Sequence, residues 1–177
     1  MALEHALLIA LREQPASGLE LGRRFERSIG FFWHAKHQQI YRVLGRMESD
    51  GLVSVEHVVQ HGRADKKVYS VTTDGERFLA EWLALPTPVE PLRSELAVKL
   101  RGASYAKDRA AIQRTVAATA ADHRTRLAHY ERLAARDYPD PAALAGKDLD
   151  DYLVLRGGIR LEQFWIDWLT ECLEAHR

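Results

Sequence analysis

The sequence has almost no cysteine. Cys172 is the single thiol in 177 residues, so an intrachain disulfide is impossible and a reduced compartment is expected. Its neighbours Leu169 and Leu173 suggest a buried thiol rather than a nucleophile. Long apolar runs are missing too, and nothing approaches the roughly 18 residues of a membrane span. The start, MALEHALLIALREQ, carries Glu4 and Glu13 and lacks the basic segment and cleavage site of a secretion signal. A cytoplasmic location is expected. Net charge is absent, with 25 Lys and Arg against 25 Asp and Glu, so no global field attracts nucleic acid. Any such attraction must be local. There is no glycine-rich phosphate loop, no Gly-x-Ser-x-Gly elbow and no His-Glu-x-x-His. An enzyme is therefore not expected, and neither a cofactor nor a metal.

What is present is a globular composition, 46% hydrophobic and 28% charged. The charge is uneven. From Arg23 to Arg46 there are six cations (Arg23, Arg24, Arg27, Lys36, Arg42, Arg46) and one anion, Glu26. A charge run alone is often only a solvated helix face, so the surrounding pattern has to decide.

Leu3, Ala6, Leu7, Ala10 and Leu11 recur at spacings of three and four, which predicts an amphipathic helix of about three turns. Pro15 and Gly18 end it, and Ser17 is available to cap a second helix over Leu19 to Ser28. A third helix is expected from near Ala35 to Asp50, stopped by Gly51, with Ile40, Leu44 and Met47 on its buried face. Gln38, Gln39, Arg42 and Arg46 lie away from that stripe. Glutamine can pair bidentately with adenine, and arginine with guanine or phosphate. Phe31, Phe32 and Trp33 are too apolar for a free loop and should dock on the body.

Val53, Val55 and Val59 predict a half-buried strand, and Val68 to Val71 its partner. The polar loop between them carries Arg63, Lys66 and Lys67. A basic helix followed by a hairpin with a basic tip is the layout of a winged helix-turn-helix. Thr73 with Glu76 reads as the capping box of a fourth helix. Pro86, Pro88 and Pro91 then forbid a continuous helix. The expected organisation is residues 1–86 as a winged helix-turn-helix, 87–91 as a linker, and 92–177 as an all-helical domain. The fold class is mainly α, with an α+β wing.

After the linker, helices are expected over Leu92 to Leu100, over Lys107 to Arg136, and from near Asp148 almost to the C-terminus. On the last helix Leu155, Ile159, Ile166, Leu169 and Leu173 form one apolar line. Leu161, Trp165, Trp168 and Cys172 form a second. One neighbouring helix does not need so wide an apolar arc. The arc predicts either a helix sandwiched within the monomer or one that packs inside along one line and meets a second subunit along the other. The dimer is the preferred reading.

These residues resemble the PadR family of bacterial transcriptional regulators. The matching pieces are Ser17-Gly18-Leu19-Glu20-Leu21, Gln39-Ile40-Tyr41-Arg42-x-Leu44 and Glu48-x-Asp50-Gly51-Leu52-Val53. They continue through Gly62-Arg63-x-Asp65-Lys66-Lys67-Val68-Tyr69-x-x-Thr72 to Gly75. The second domain, with Leu155-Arg156-Gly157-Gly158-Ile159-Arg160, resembles the helical half shared with virulence activators of the AphA type. Leu19 departs from the tyrosine of many members.

The resemblance implies a homodimeric winged-helix regulator, more often a repressor than an activator. Its partner would be double-stranded DNA carrying a pseudo-palindromic operator. It implies Lys36, His37, Gln38, Gln39, Tyr41, Arg42 and Arg46 as recognition positions, and His61, Gly62, Arg63, Lys66 and Lys67 as wing positions. Dimerisation is expected through Leu155, Ile159, Leu161, Trp165, Ile166, Trp168, Leu169 and Leu173. A small aromatic effector is implied more loosely, with Trp33, Trp82 and His123 as candidate pocket residues. His123, on an apolar stripe, also reads as a hydrogen-bonded core histidine. Two other functions fit parts of the pattern. One is a winged helix used only for protein contacts. The other is a metal-responsive regulator built on His34 with His37 or His57 with His61.

Overall fold

The computed structural model describes residues 2–27, 36–59, 66–89 and 91–175. Two compact units divide it, Met1–Pro88 and Val89–Arg177. Residues 86–89 and 91–94 carry neither helix nor strand, as expected where three prolines remove donors and fix φ.

The first unit runs α1 (Ala2–Glu13), α2 (Gly18–Arg27), α3 (His37–Ser49), β1 (Val53–Val58), β2 (Lys66–Val71) and α4 (Thr73–Leu83). Helical spacing puts Leu7, Leu8 and Leu11 of α1 on one face, and Ile40, Leu44 and Met47 of α3 meet them with Leu21 and Phe25. Burying each such side chain contributes about 1.5–3 kcal/mol relative to leaving it exposed. β1 and β2 pair antiparallel with Val53 opposite Val71 and Val58 opposite Lys66. Ala16 extends this ribbon: its N–H donates to the Tyr69 carbonyl at 3.2 Å and its carbonyl accepts from the Tyr69 N–H at 2.9 Å. The segment between α1 and α2 is thereby tied to the hairpin.

Some boundaries differ from the sequence expectation. α3 begins at His37 with Lys36 as its N-cap. Val59 lies beyond β1 and is exposed, whereas β2 starts two residues early, so Lys66 and Lys67 are strand residues and not loop residues. The cap of α4 is Thr72 rather than Thr73. Thr72 is extended (φ −89°, ψ 169°), and its hydroxyl accepts from the Gly75 N–H at 3.1 Å. That leaves Glu76 free of capping, and it pairs with Arg12. The docking expected of Phe31, Phe32 and Trp33 falls outside the described residues.

The second unit contains α5 (Glu95–Arg101), α6 (Arg109–Asp137) and α7 (Gly146–Glu174), with short 3-10 turns at Ala103–Tyr105 and Pro141–Ala143. Ser94 and Asp108 cap α5 and α6 with side-chain oxygens. These two helices start three and two residues later than the sequence pattern placed them. α7 runs uninterrupted through Gly157-Gly158. Val116 and Ala120 of α6 pack on Leu169 of α7, flanked by Leu96, Leu100 and Ile112. Among the described residues no helix is long and apolar enough to cross a membrane.

Candidate nucleic-acid interface

Burial of Ile40, Val43, Leu44 and Met47 fixes which side of α3 looks outward. At about 100° per residue, Gln38, Arg42 and Ser49 fall on one exposed line. Arg42 and Lys36 have no carboxylate partner among the described residues. The other expected recognition residues are partly committed elsewhere. Gln39 Oε1 accepts from the Lys36 backbone N–H at 3.0 Å, which caps the helix start. Tyr41 and His37, one turn apart, roof the glycines of α2. A Cβ at Gly18 would stand 2.4 Å from Tyr41 Cε1, and one at Gly22 would stand 2.7 Å from His37 Nε2. Those two rings set the α2–α3 distance, and Gln38 and Arg42 remain the outward pair.

Arg46 is held by Glu4. In the wing, Lys66 Nζ lies 3.2 Å from Glu20 and Lys67 Nζ lies 3.6 Å from Glu48. The wing positions His61, Gly62 and Arg63 lie outside the described residues, and so does His34. His57 lies on β1 opposite Lys67, but its candidate metal partner His61 is not among the described residues. Arg24 donates to the Ala10 and Gln14 carbonyls and is a structural cation joining α2 to α1.

Glu20 does two jobs. Its carboxylate accepts from the Ser17 N–H at 2.8 Å and the Ser17 hydroxyl at 2.7 Å, completing a capping box at α2. It also holds Lys66 of β2. The Ser17 bonds, with Lys66 adding to them, lower its pKa from 4.5 to about 2. A depressed carboxylate stabilises the fold above its unfolded pKa, and that stability is lost as pH falls through the folded value. The first unit should therefore lose stability between pH 4.5 and 2. Glu20→Gln should flatten that stretch of an acid-unfolding curve followed by circular dichroism. An unchanged curve would mean the carboxylate is not held as described.

In the second unit the two apolar lines of α7 separate. Leu155, Ile159 and Leu169 are buried within the chain, and Leu173 and Ile166 are half-buried. Leu161 is outward, at 42% exposure, joined by Leu153, Val154 and Phe164 at 56%, 51% and 49%. Trp165 and Trp168 are half-buried and form an aromatic cluster with Phe164, at ring separations of 5.6 and 6.4 Å. Sequence reasoning missed Leu153, Val154 and Phe164. The spacing Leu153, Gly157, Leu161, Phe164, Trp168 carried the signal, because four-four-three-four steps stay on one helix face.

The three candidate effector-pocket residues do not come together within either unit. Trp33 lies outside the described residues. Trp82, in the first unit, stacks on buried His5 at 4.2 Å. His123, in the second, places Nδ1 2.5 Å from Glu162 Oε2 and stacks on Trp165 at 5.4 Å. Arg126 Nε donates to the same carboxylate at 3.2 Å. His123 is thus a satisfied core histidine in this structure. Its partner Glu162 went unnoticed in the sequence, although it sits three residues after Ile159 on the inward face. Cys172 is half-buried, and burial with neighbouring Glu171 raises its thiol pKa, which disfavours the nucleophilic thiolate.

Residues 7–81 match the transcriptional regulator PadR-like family, and residues 92–177 match the virulence activator alpha C-terminal domain. A probable transcriptional regulator of Mycobacterium tuberculosis, Rv1176c, is 50% identical over 99% of this chain and 97% of its own. The chain belongs to the PadR-like family of transcriptional regulators. Among solved structures it resembles the virulence activator AphA of Vibrio cholerae, with 34% identity, a TM-score of 0.80, and coverage of 98% and 96% of the two chains. It also resembles Bacillus subtilis PadR in complex with operator DNA, with 26% identity, a TM-score of 0.85 and 99% coverage of each chain. The same Bacillus protein has been solved with p-coumaric acid, matching at 25% identity over 99% and 98% of the two chains, with a TM-score of 0.79.

Several of the residues that carry the PadR likeness are structural. Gly51 adopts φ +72° to end α3, a conformation that costs glycine nothing. The Thr72 hydroxyl donates to the Gly51 carbonyl at 2.6 Å, so the turn after α3 and the start of α4 are closed together.

Proposed function

We propose that this PadR-like regulator is a homodimeric, sequence-specific DNA-binding repressor of the cytoplasm, released from its operator by a small effector. The observation that carries the reading is the outward line of Gln38 and Arg42 on α3, beside a two-stranded wing bearing Lys66 and Lys67. α3 would enter the major groove, with Arg42 and Gln38 reading base edges and Lys36, Arg46 and the wing lysines meeting phosphates. The outward apolar stripe of α7 would meet its copy, with Leu161 from the expected set and Phe164 beside it. Leu155, Ile159 and Leu169 would keep the supporting core. Two recognition helices held about one helical turn apart suit a pseudo-palindromic operator.

The operator complex of the Bacillus relative supports the DNA reading, and its p-coumaric acid complex supports a small aromatic acid as the class of effector. An effector that binds better to a dimer with wrongly spaced wings lowers DNA affinity by linkage.

Selecting bound fragments from genomic DNA tests the reading and recovers the operator. On that operator, Arg42→Ala should lose about 1–3 kcal/mol of discrimination at one base position. Lys67→Ala should weaken all duplexes alike and lower the salt slope by less than about one, because Glu48 shares that cation. Equal small effects from both would contradict this division of labour.

A further inference from the structure

Three cations flank the outward line of α3, and each meets a carboxylate of the same unit: Arg46 with Glu4, Lys66 with Glu20, Lys67 with Glu48. Arg42 and Lys36 have none among the described residues. The division follows position. Arg42 stands where a base edge can be reached, whereas the three paired cations stand on the last turn of α3 and at the loop end of the wing.

Stability does not account for the two wing pairs. The partners of Lys66 and Lys67 are more than a third exposed, and exposed pairs contribute little. Two of the carboxylates are held in place, which makes them effective competitors. Glu20 is fixed by both Ser17 bonds and remains ionised at any pH at which the protein would work. The Glu4 side chain is only 13% exposed. Non-specific DNA affinity is almost wholly electrostatic, while specific affinity adds base contacts. Cancelling phosphate-facing cations while sparing Arg42 therefore lowers the sequence-independent share of affinity and leaves more of what remains to base contacts.

We infer that Glu4, Glu20 and Glu48 compete with DNA phosphates for Arg46, Lys66 and Lys67, holding sequence-independent binding down. The inference rests on the DNA-binding reading above. It also accounts for a DNA reader on a chain of zero net charge.

The test is binding of the full-length protein to a random-sequence duplex, followed by fluorescence anisotropy across a salt series. Glu48→Gln should bind several-fold tighter at low salt, with a slope of log affinity against log salt steeper by up to about one per subunit. Adding Glu20→Gln should steepen it by up to about one more. Glu131→Gln makes the same charge change on an exposed site of α6 in the other unit, and should leave the slope as in wild type. A wild-type slope for Glu48→Gln, or one matched by Glu131→Gln, overturns the inference while wild-type binding keeps the DNA-binding reading. Absence of binding by wild type and every variant overturns both.

Discussion

Gly75→Ala should destabilise the winged-helix unit by about 3 kcal/mol, lowering its Tm by roughly 15 °C. A Cβ at Gly75 would stand 2.1 Å from the Leu52 carbonyl oxygen and 2.9 Å from Val71 Cγ1. The first contact is backbone against backbone, so no side-chain rotation relieves it. Both sides are also tied down. The Leu52 carbonyl accepts from the Thr72 N–H at 3.1 Å, and the Gly75 N–H donates to the Thr72 hydroxyl at 3.1 Å. Moving α4 away breaks that cap and pulls on β2 through Thr72. The same substitution at Gly45 is the control. Nothing lies within 4 Å of a Cβ there, and replacing glycine by alanine within a helix should stabilise by about 0.5–1 kcal/mol. Thermal unfolding of the two variants separates the effects. Equal Tm values would mean that Gly75 is not pinned against Leu52.

The second large effect concerns assembly. Leu161→Asp combined with Phe164→Asp should convert the proposed dimer to monomer at micromolar concentration. By symmetry, four carboxylates would be placed in one apolar patch without partners, and each buried unpaired charge costs several kcal/mol. Because both side chains are roughly half-exposed in the single chain, the monomer should keep its helical content. Operator affinity should fall by about 10²-fold or more, since the second half-site is no longer bound from an effectively high local concentration. Sedimentation velocity reads the first effect and circular dichroism the second. A dimer that survives both substitutions would move the interface off this stripe. Leu155→Asp differs in kind, because Leu155 is buried within the chain and its loss should unfold the second unit.

How much was legible in the sequence depended on whether a residue's role is local. The spacing of Ile40, Leu44 and Met47 fixed the buried face of α3, and with it the outward line of Gln38 and Arg42. Ser17 and Pro15 marked the α1–α2 turn correctly. Long-range partners were harder. Nothing in the local pattern tells that Glu20 both caps α2 and reaches Lys66, 46 residues away, or that Glu162 closes on His123 across 39. A buried glutamate breaks the apolar stripe that reveals a core face, so it was read past. Likeness marks His37 and Tyr41 as readers, and the helix pattern and likeness together mark Gln39. Their engagement with Gly22, Lys36 and Gly18 depends on how close α2 and α3 approach, which no single segment encodes. The α4 cap was misplaced by one residue because Thr72 and Thr73 are chemically equivalent. Only the Thr72 hydroxyl bond to the Gly51 carbonyl, a tertiary contact, distinguishes them.

The most direct measurement is a salt titration of the wild-type protein on its recovered operator. Releasing counterions from several phosphates per subunit should cut affinity by roughly 10³-fold between about 50 and 200 mM salt, with the operator staying ahead of random duplex throughout. A flat salt response, or no binding to any duplex, would contradict the account of this regulator as a DNA reader.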